Sequence, residues 1–279
     1  MSAAPAPRLF GIPATRAPIV AVLRRGPTAW SHVGRWDVGR GLYEPGAWIR
    51  ASLYPQRCDV SPDGRWLCYF TLKMPGRWKA GSTYVALSRL PWLTALAAWG
   101  TCGTWTRGAH FVEDPSVWGV GDPDEGDATP CRARFGLAVT RPATFAVERR
   151  RGWTETAETP PRPADDMWDE RRGSAVTMEK PRPKSDGRER LRVRGYFAAF
   201  RDGRGKDIAY DLVAGERVTA LDEAQWADWD AEGRLLVATR DGRLQIRELA
   251  EDASRVLSEA DAGAETPSPV PPPPEALRW

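Results

Sequence analysis

His32 and His110 are the only histidines in the chain, so most acid–base and nucleophilic chemistry would have to pass through one of them. A Ser-His-Asp arrangement needs an imidazole beside its hydroxyl. Neither histidine lies near a GxSxG elbow. His110 is followed by Phe-Val-Glu, which lacks the HExxH spacing of a zinc helix. The four cysteines, at 58, 68, 102 and 131, form no CxxC pair and no zinc signature. The stretch "RDGRGKD" from Arg201 reads as a hairpin turn and not as a phosphate loop. Asp165-Asp166 sits in a charge-rich stretch where water keeps both carboxylates ordinary. The sequence therefore gives no catalytic residue, no metal ligand set and no cofactor motif to expect.

One cluster could recognise a ligand: Arg24, Arg25, Trp30, Arg35, Trp36, Trp48 and Arg57. Guanidinium forks bind phosphate or carboxylate with two hydrogen bonds, and indole faces stack bases or guanidinium groups. The competing structural account pairs Arg35 with Asp37 and Arg57 with Asp59, while the tryptophans pack. Arg24-Arg25 lies in a turn stiffened by Pro27, where structural duties are fewer.

The elements that must carry these residues are strands. "RCDVSPDGRWLCYF", residues 57–70, has a Ser-Pro-Asp-Gly turn, with proline presetting φ and glycine taking the left-handed position. Counting outward as a three-residue loop sets Val60 opposite Trp66 and Cys58 opposite Cys68, all on one face. "ADWDAEGRLLVAT", residues 227–239, gives the same count: Trp229 opposite Leu235 and Ala227 opposite Val237. A third run, residues 195–221, reads strand, Asp202-Gly203 turn, strand, Ala214-Gly215 turn, strand. The hairpin at Trp226 continues through Asp241-Gly242 into another strand. The class expected is all-β, mostly antiparallel, with an irregular β-propeller-like arrangement of units of about 40 residues.

Fourteen tryptophans against four methionines fit pleated sheets, with most indoles in the core. Net charge is +3, unevenly spread. Residues 1–111 carry 14 Arg/Lys against 4 Asp/Glu, whereas residues 112–279 carry 26 against 33. The asymmetry suits an anionic partner for the first third, or attraction between the two parts. Cys58 and Cys68 read as two packed thiols or as a cross-strand disulfide. No run is apolar enough for a signal peptide or a membrane span, so a cytoplasmic protein with no membrane association is expected.

Five regions follow. Residues 1–17 are Pro/Ala-rich and expected to be disordered; 18–153 form a first propeller-like β region. Its strands are expected near Ile19–Arg24, Ala29–Asp37 and Ala47–Leu53. Residues 90–99, "LPWLTALAAW", read as a short helix or a buried strand. An acidic loop follows at 119–130, then two short strands within 135–147. Residues 154–188 are a Pro- and charge-rich loop or linker with a helical turn near 165–172. Residues 189–252 form a second β region of the same domain, and 253–279 a disordered Pro-rich tail, its four prolines a spacer and Trp279 a possible ligand.

The motifs "VLRRGPTAW", "RWDV", "YEPGAW", "RCDVSPDGRWLCYF" and "SRLPW" resemble those of a family of uncharacterised bacterial proteins. The resemblance spans roughly residues 20–99. This chain differs in carrying Ala47, Ile49 and Ala51-Ser52 where polar or basic residues are expected. The Ser-Pro-Asp-Gly turn also resembles turns of TolB-type and WD40-like propeller blades. The family has no assigned activity, so the resemblance implies a fold and no mechanism. The function expected is a non-enzymatic scaffold that binds a protein partner. The alternatives are nucleic-acid or anionic-ligand binding through the arginine–tryptophan surface, and an enzyme of unknown class with a central cleft.

Overall fold

The computed structural model describes residues 7–73, 82–101, 109–111, 139–140, 145–156, 175–197, 207–249, 254–264 and 266–278. The Asp202-Gly203 turn, the acidic loop at 119–130, the helical turn near 165–172, Cys131 and Trp279 lie outside them. The described chain is mostly antiparallel β-structure, built as sheets that follow one another along the sequence.

The first sheet is a meander of β1 (Arg8–Pro13), β2 (Ile19–Arg25), β3 (Ser31–Asp37) and β4 (Leu42–Ile49). The second holds β5 (Ser52–Leu53), β6 (Asp59–Val60), β7 (Trp66–Leu72), β8 (Thr83–Arg89) and β9 (Ala97–Gly100). A short pair, β10 (His110–Phe111) with β11 (Val139–Thr140), comes next. Helix α1 (Ala146–Arg150) follows, starting at the end of the 135–147 segment, in which two short strands were expected and β11 is one. The fourth sheet runs β12 (Thr154–Glu155), β13 (Ala175–Pro181), β14 (Glu189–Tyr196), β15 (Ile208–Ala214) and β16 (Arg217–Ala220). The fifth runs β17 (Ala224–Trp229), β18 (Leu235–Thr239), β19 (Arg243–Leu249) and β20 (Ser254–Asp261).

Three expected segments need correction. The N-terminal stretch through residue 17 is not disordered along its described length: Arg8–Pro13 pair residue by residue with β2. The tail is not a free spacer either. Residues 254–261 form the outer strand of the fifth sheet, and Ala276, in a short 3-10 turn, is fully buried. The charge-rich stretch 154–188 contributes β12 and β13 at its ends. In each case tertiary pairing supplies the order that local composition does not.

The hairpin at Asp230 has the expected register, Trp229 opposite Leu235 and Ala227 opposite Val237. Its four residues share one core. The hairpin at Ser61 is slipped by one: Val60 faces Leu67 and Asp59 faces Cys68. Val60 and Trp66 therefore point to opposite sides, into separate cores. The Ser61 hydroxyl is the cause. It accepts from the backbone N–H of Trp66 at 2.9 Å and of Arg65 at 3.2 Å, while Ser61 N–H donates to the Trp66 carbonyl. That closes a longer loop. Slippage turns every side chain over, and β7 tolerates it because both its faces are buried. Cys58 and Cys68 fall on opposite faces as buried thiols not joined in a disulfide.

Apolar cores join the sheets in a fixed order. The first sheet packs on the second through Ala21, Leu23 and Val33 against Leu53, Leu67 and Tyr69. Its other face packs on the fifth sheet through Leu9, Val22 and Trp36 against Trp226, Leu236 and Ile246. The fifth sheet also packs on the fourth. At the seam between first and fifth sheets, β17 carries a bulge at Gln225. The bulged amide accepts from Leu9 N–H at 3.0 Å and donates to the Pro7 and Thr239 carbonyls. Gly11 faces the Trp226 ring so closely that a Cβ there would lie 2.5 Å from it. The Gly11→Ala variant is expected to lose about 1–3 kcal/mol through overpacking. Denaturant midpoints measure this, and Trp226→Phe should recover part of the loss in the double variant.

Candidate functional site

Two aspartates stand at the same place in the two hairpins, three residues before each turn's first central residue: Asp59-Val-Ser-Pro and Asp228-Trp-Asp-Ala. Both are buried. Each carboxylate folds back onto the next residue's N–H, Val60 at 2.9 Å and Trp229 at 2.7 Å. Each also takes a cation from a different element. Asp59 is held by Arg150 of α1 and by Arg151 at 2.7 Å, and it accepts the Phe111 N–H at 2.8 Å. Asp228 is held by Lys180 of β13 at 2.5 Å and lies 3.5 Å from the Trp153 indole nitrogen. Burial alone would raise the pKa of Asp59. The charges and hydrogen bonds of Arg151 and Arg150 outweigh it and hold the carboxyl below its usual range.

These braces border a cleft between β1, α1, the fourth sheet and β17. Its free volume is about 40 Å³, room for a water molecule or two. Phe10, Ile12, Met178, Ile208 and Trp226 give it apolar walls; Gln56, Glu148, Arg151, Tyr210 and Asp228 supply polar groups. Burial raises the pKa of Glu148, with the charge of Arg151 working against the rise. Burial, and then the charge of Asp228, raises that of Tyr210. Arg151 is fixed from three sides, donating to the Pro13 carbonyl at 2.7 Å and to the Val147 carbonyl at 3.0 Å besides Asp59. The charged lining thus acts first as bracing between elements. His110 pairs through β10 beside Asp59 and does not line the cleft. Among the described residues no group of three or more His, Cys, Asp or Glu is placed to hold a metal ion.

The seven arginines and tryptophans singled out in the sequence are divided among several places. Arg24, Trp30 and Trp48 come together: the Arg24 guanidinium lies 5.1 Å from the Trp48 ring centre, and Trp30 meets Trp48 edge-on at 6.5 Å. His32 joins them 4.6 Å from Trp48. Arg24 is buried and donates to the Ala262 carbonyl at 2.9 Å, tying the first sheet to the fifth. Trp36 lies in the core between those sheets, with no face left for a ligand. Arg35 meets Asp37 at 3.9 Å and Glu44 at 3.8 Å, as the structural account has it. Arg57 does not brace Asp59. It stacks on Tyr54 and Phe70, 5.0 and 4.8 Å from their ring centres. Arg25 sits at the end of β2 opposite Arg8. The true partners of Asp59 and Asp228 escaped the sequence reading. The repeated Asp before each turn was the available signal that two buried carboxylates each needed a distant cation.

No family model matches the chain, and no curated protein sequence matches it. Among solved structures it is similar to an uncharacterized protein from Listeria monocytogenes EGD-e, at 8% identity and a TM-score of 0.26. The alignment covers 92% of this chain and 55% of that one, so the chain spans about half the length of that protein. No helix among the described residues is long and apolar enough to cross a membrane.

Asp59→Asn should take the carboxylate from Arg150 and Arg151 and lower stability by about 3–5 kcal/mol. Asp228→Asn, stranding one ammonium, should lower it less; urea midpoints at neutral pH rank the two. The pH dependence has a separate source. Burial pulls His32 and His110 down to about 4, helped at His32 by the Arg24 charge. The unfolded chain, with histidine near 6.5, binds more protons between those values, so stability must fall as pH drops from about 6.5 to 4. Each histidine accounts for up to about 3 kcal/mol of that fall. Urea midpoints across that window should lose about one proton of slope in His32→Gln and in His110→Gln. The Asp59 contribution, from a lowered pKa, is lost only at lower pH, as the carboxyl protonates below about 3.9.

Proposed function

We propose that the chain is a non-enzymatic binding protein, a propeller-like scaffold that offers exposed strand edges to a protein partner. The observation that carries this reading is the pair of outer strands β16 and β20. Among the described residues each pairs on one side only. All four residues of β16 are exposed, and so is most of β20. Val218 is 51% exposed, Val256 46% and Leu257 42%. An open edge with protruding aliphatic side chains is suited to an extended segment that adds as a further strand. The order of the cores, second sheet to first, first to fifth and fifth to fourth, supports the propeller-like part of the reading. The resemblance to the bacterial family and two buried thiols not joined in a disulfide favour a bacterial, cytoplasmic setting. A second reading, an anionic ligand or nucleic acid at the N-terminal arginine surface, draws on Arg25, which faces another arginine.

A photo-crosslinking residue placed at 218 or 256 should capture a defined protein, and one placed at Glu44 should not. Binding of that purified partner should survive high salt. It should weaken at least about tenfold in Val218→Lys or Val256→Lys, a loss of about 1.4 kcal/mol, with unfolding midpoints unchanged. Wild-type affinity in both lysine variants would defeat the edge-docking reading.

A further inference from the structure

Arg8 and Arg25 stand directly opposite each other on neighbouring antiparallel strands. Opposed residues share a face, with Cβ atoms about 5 Å apart, and like charges so placed repel. Elsewhere in the sheets arginines meet carboxylates: Arg194 with Asp211 at 2.7 Å, Arg192 with Glu179 at 2.8 Å, Arg243 with Asp261 at 3.2 Å. Among the described residues neither Arg8 nor Arg25 is in an ion pair. The next residue across the sheet from Arg25 is the neutral Ser31. Partial burial and then the charge of Arg25 lower the pKa of Arg8. A guanidinium does not give up its proton in this range, so the repulsion persists until an anion relieves it.

The surroundings leave room for one. β2 runs into a turn at Gly26, whose φ of +109° suits glycine, and a Cβ there would meet nothing within 4 Å. Residues 27–29 are exposed. Arg50, also exposed, follows Ile49, which pairs with Ser31 at the same end of the sheet. This end of the first sheet thus collects Arg8, Arg25 and Arg50, in the third of the chain that carries 14 basic against 4 acidic residues.

We propose that Arg8 and Arg25 form a clamp for a phosphate group, with Arg50 as a flanking cation. The proposal rests on the second reading above and narrows it to one chemistry. Phosphate fits better than a carboxylate because its oxygens can accept from two guanidinium forks at once. The group arrives either as a monoester or as the diester backbone of a single strand.

Thermal unfolding of the full chain, with inorganic phosphate against chloride at equal ionic strength, tests the clamp. Phosphate should raise the wild-type midpoint saturably and leave Arg8→Gln and Arg25→Gln unmoved. In chloride alone each variant should be at least as stable as wild type, since one of two repelling charges is gone. Titration with a single-stranded oligonucleotide separates the sources. A phosphate response without strand binding assigns a monoester. Strand binding whose log–log salt slope falls by about 0.7 in Arg25→Gln assigns a diester. An equal phosphate response in all three proteins, none in wild type, or variants less stable than wild type in chloride would overturn the clamp. Strand binding with an unchanged slope in both variants would then leave the anionic reading standing at another surface.

Discussion

A carboxylate taken out of water between β-sheets stays charged only with a cation beside it, and this chain buries two of them at equivalent hairpin positions. Removing either ion from water costs several kcal/mol before pairing. The cost is met only when α1 delivers Arg150 and Arg151 to Asp59, and β13 delivers Lys180 to Asp228. All three cations lie far from the aspartates in sequence. The ion pairs therefore act as a condition on tertiary assembly: the hairpins are satisfied only when the neighbouring elements have docked. The same docking closes the cleft, because Arg151 and Asp228 are also part of its wall.

That condition bears on function. A polar group already committed to a brace is poorly placed to change its state during a reaction, and Asp59, Asp228, Lys180 and Arg151 are committed in this way. The groups less tied to the frame lie outside it. Among the described residues β16 and β20 pair on one side only, and Arg8 faces Arg25 at the end of the first sheet. Rigidity inside and unsatisfied groups at the rim are what a binding surface needs, since little ordering cost remains when a partner arrives.

Local signals in the sequence were enough for much of the architecture. Alternation and Gly-containing turns located β2, β3, β16, β18 and β19, because local turn chemistry marks their ends. The two hairpins mark where that logic ends. At Asp230 the side chain accepts the N–H of Glu232 and Arg234 at 3.0 and 2.8 Å, and the tight loop forms as counted. At Ser61 the acceptor is a shorter hydroxyl, itself anchored to Asp63 at 2.5 Å, and it captures the N–H one residue further on. In a strand with one wet face the hydrophobic pattern would have vetoed that slip. β7 has none, so nothing in its composition distinguishes the two registers.

The N-terminal and C-terminal strands were illegible for a related reason. "RLFGIP" and "SRVLSEAD" are too short and too mixed to order themselves, and their order comes from β2 and β19. Once paired, they do what no internal strand can. β1 places Gly11 under the Trp226 ring and offers Leu9 N–H to the bulged Gln225, and Ser258 of β20 donates to the Gly41 carbonyl at 3.1 Å. The two ends of the described sheet array are thereby fastened together by contacts more than 200 residues apart in sequence. The arginine–tryptophan cluster was divided by the same mechanism. Arg24 looked free in its turn because its hydrogen-bond acceptor, the Ala262 carbonyl, belongs to the far end of the chain. Arg25 points to the other face, toward Arg8, and the seam offers it no such carbonyl. Alternation along β2 thus commits Arg24 to the fold and sets its neighbour against another arginine on the opposite face.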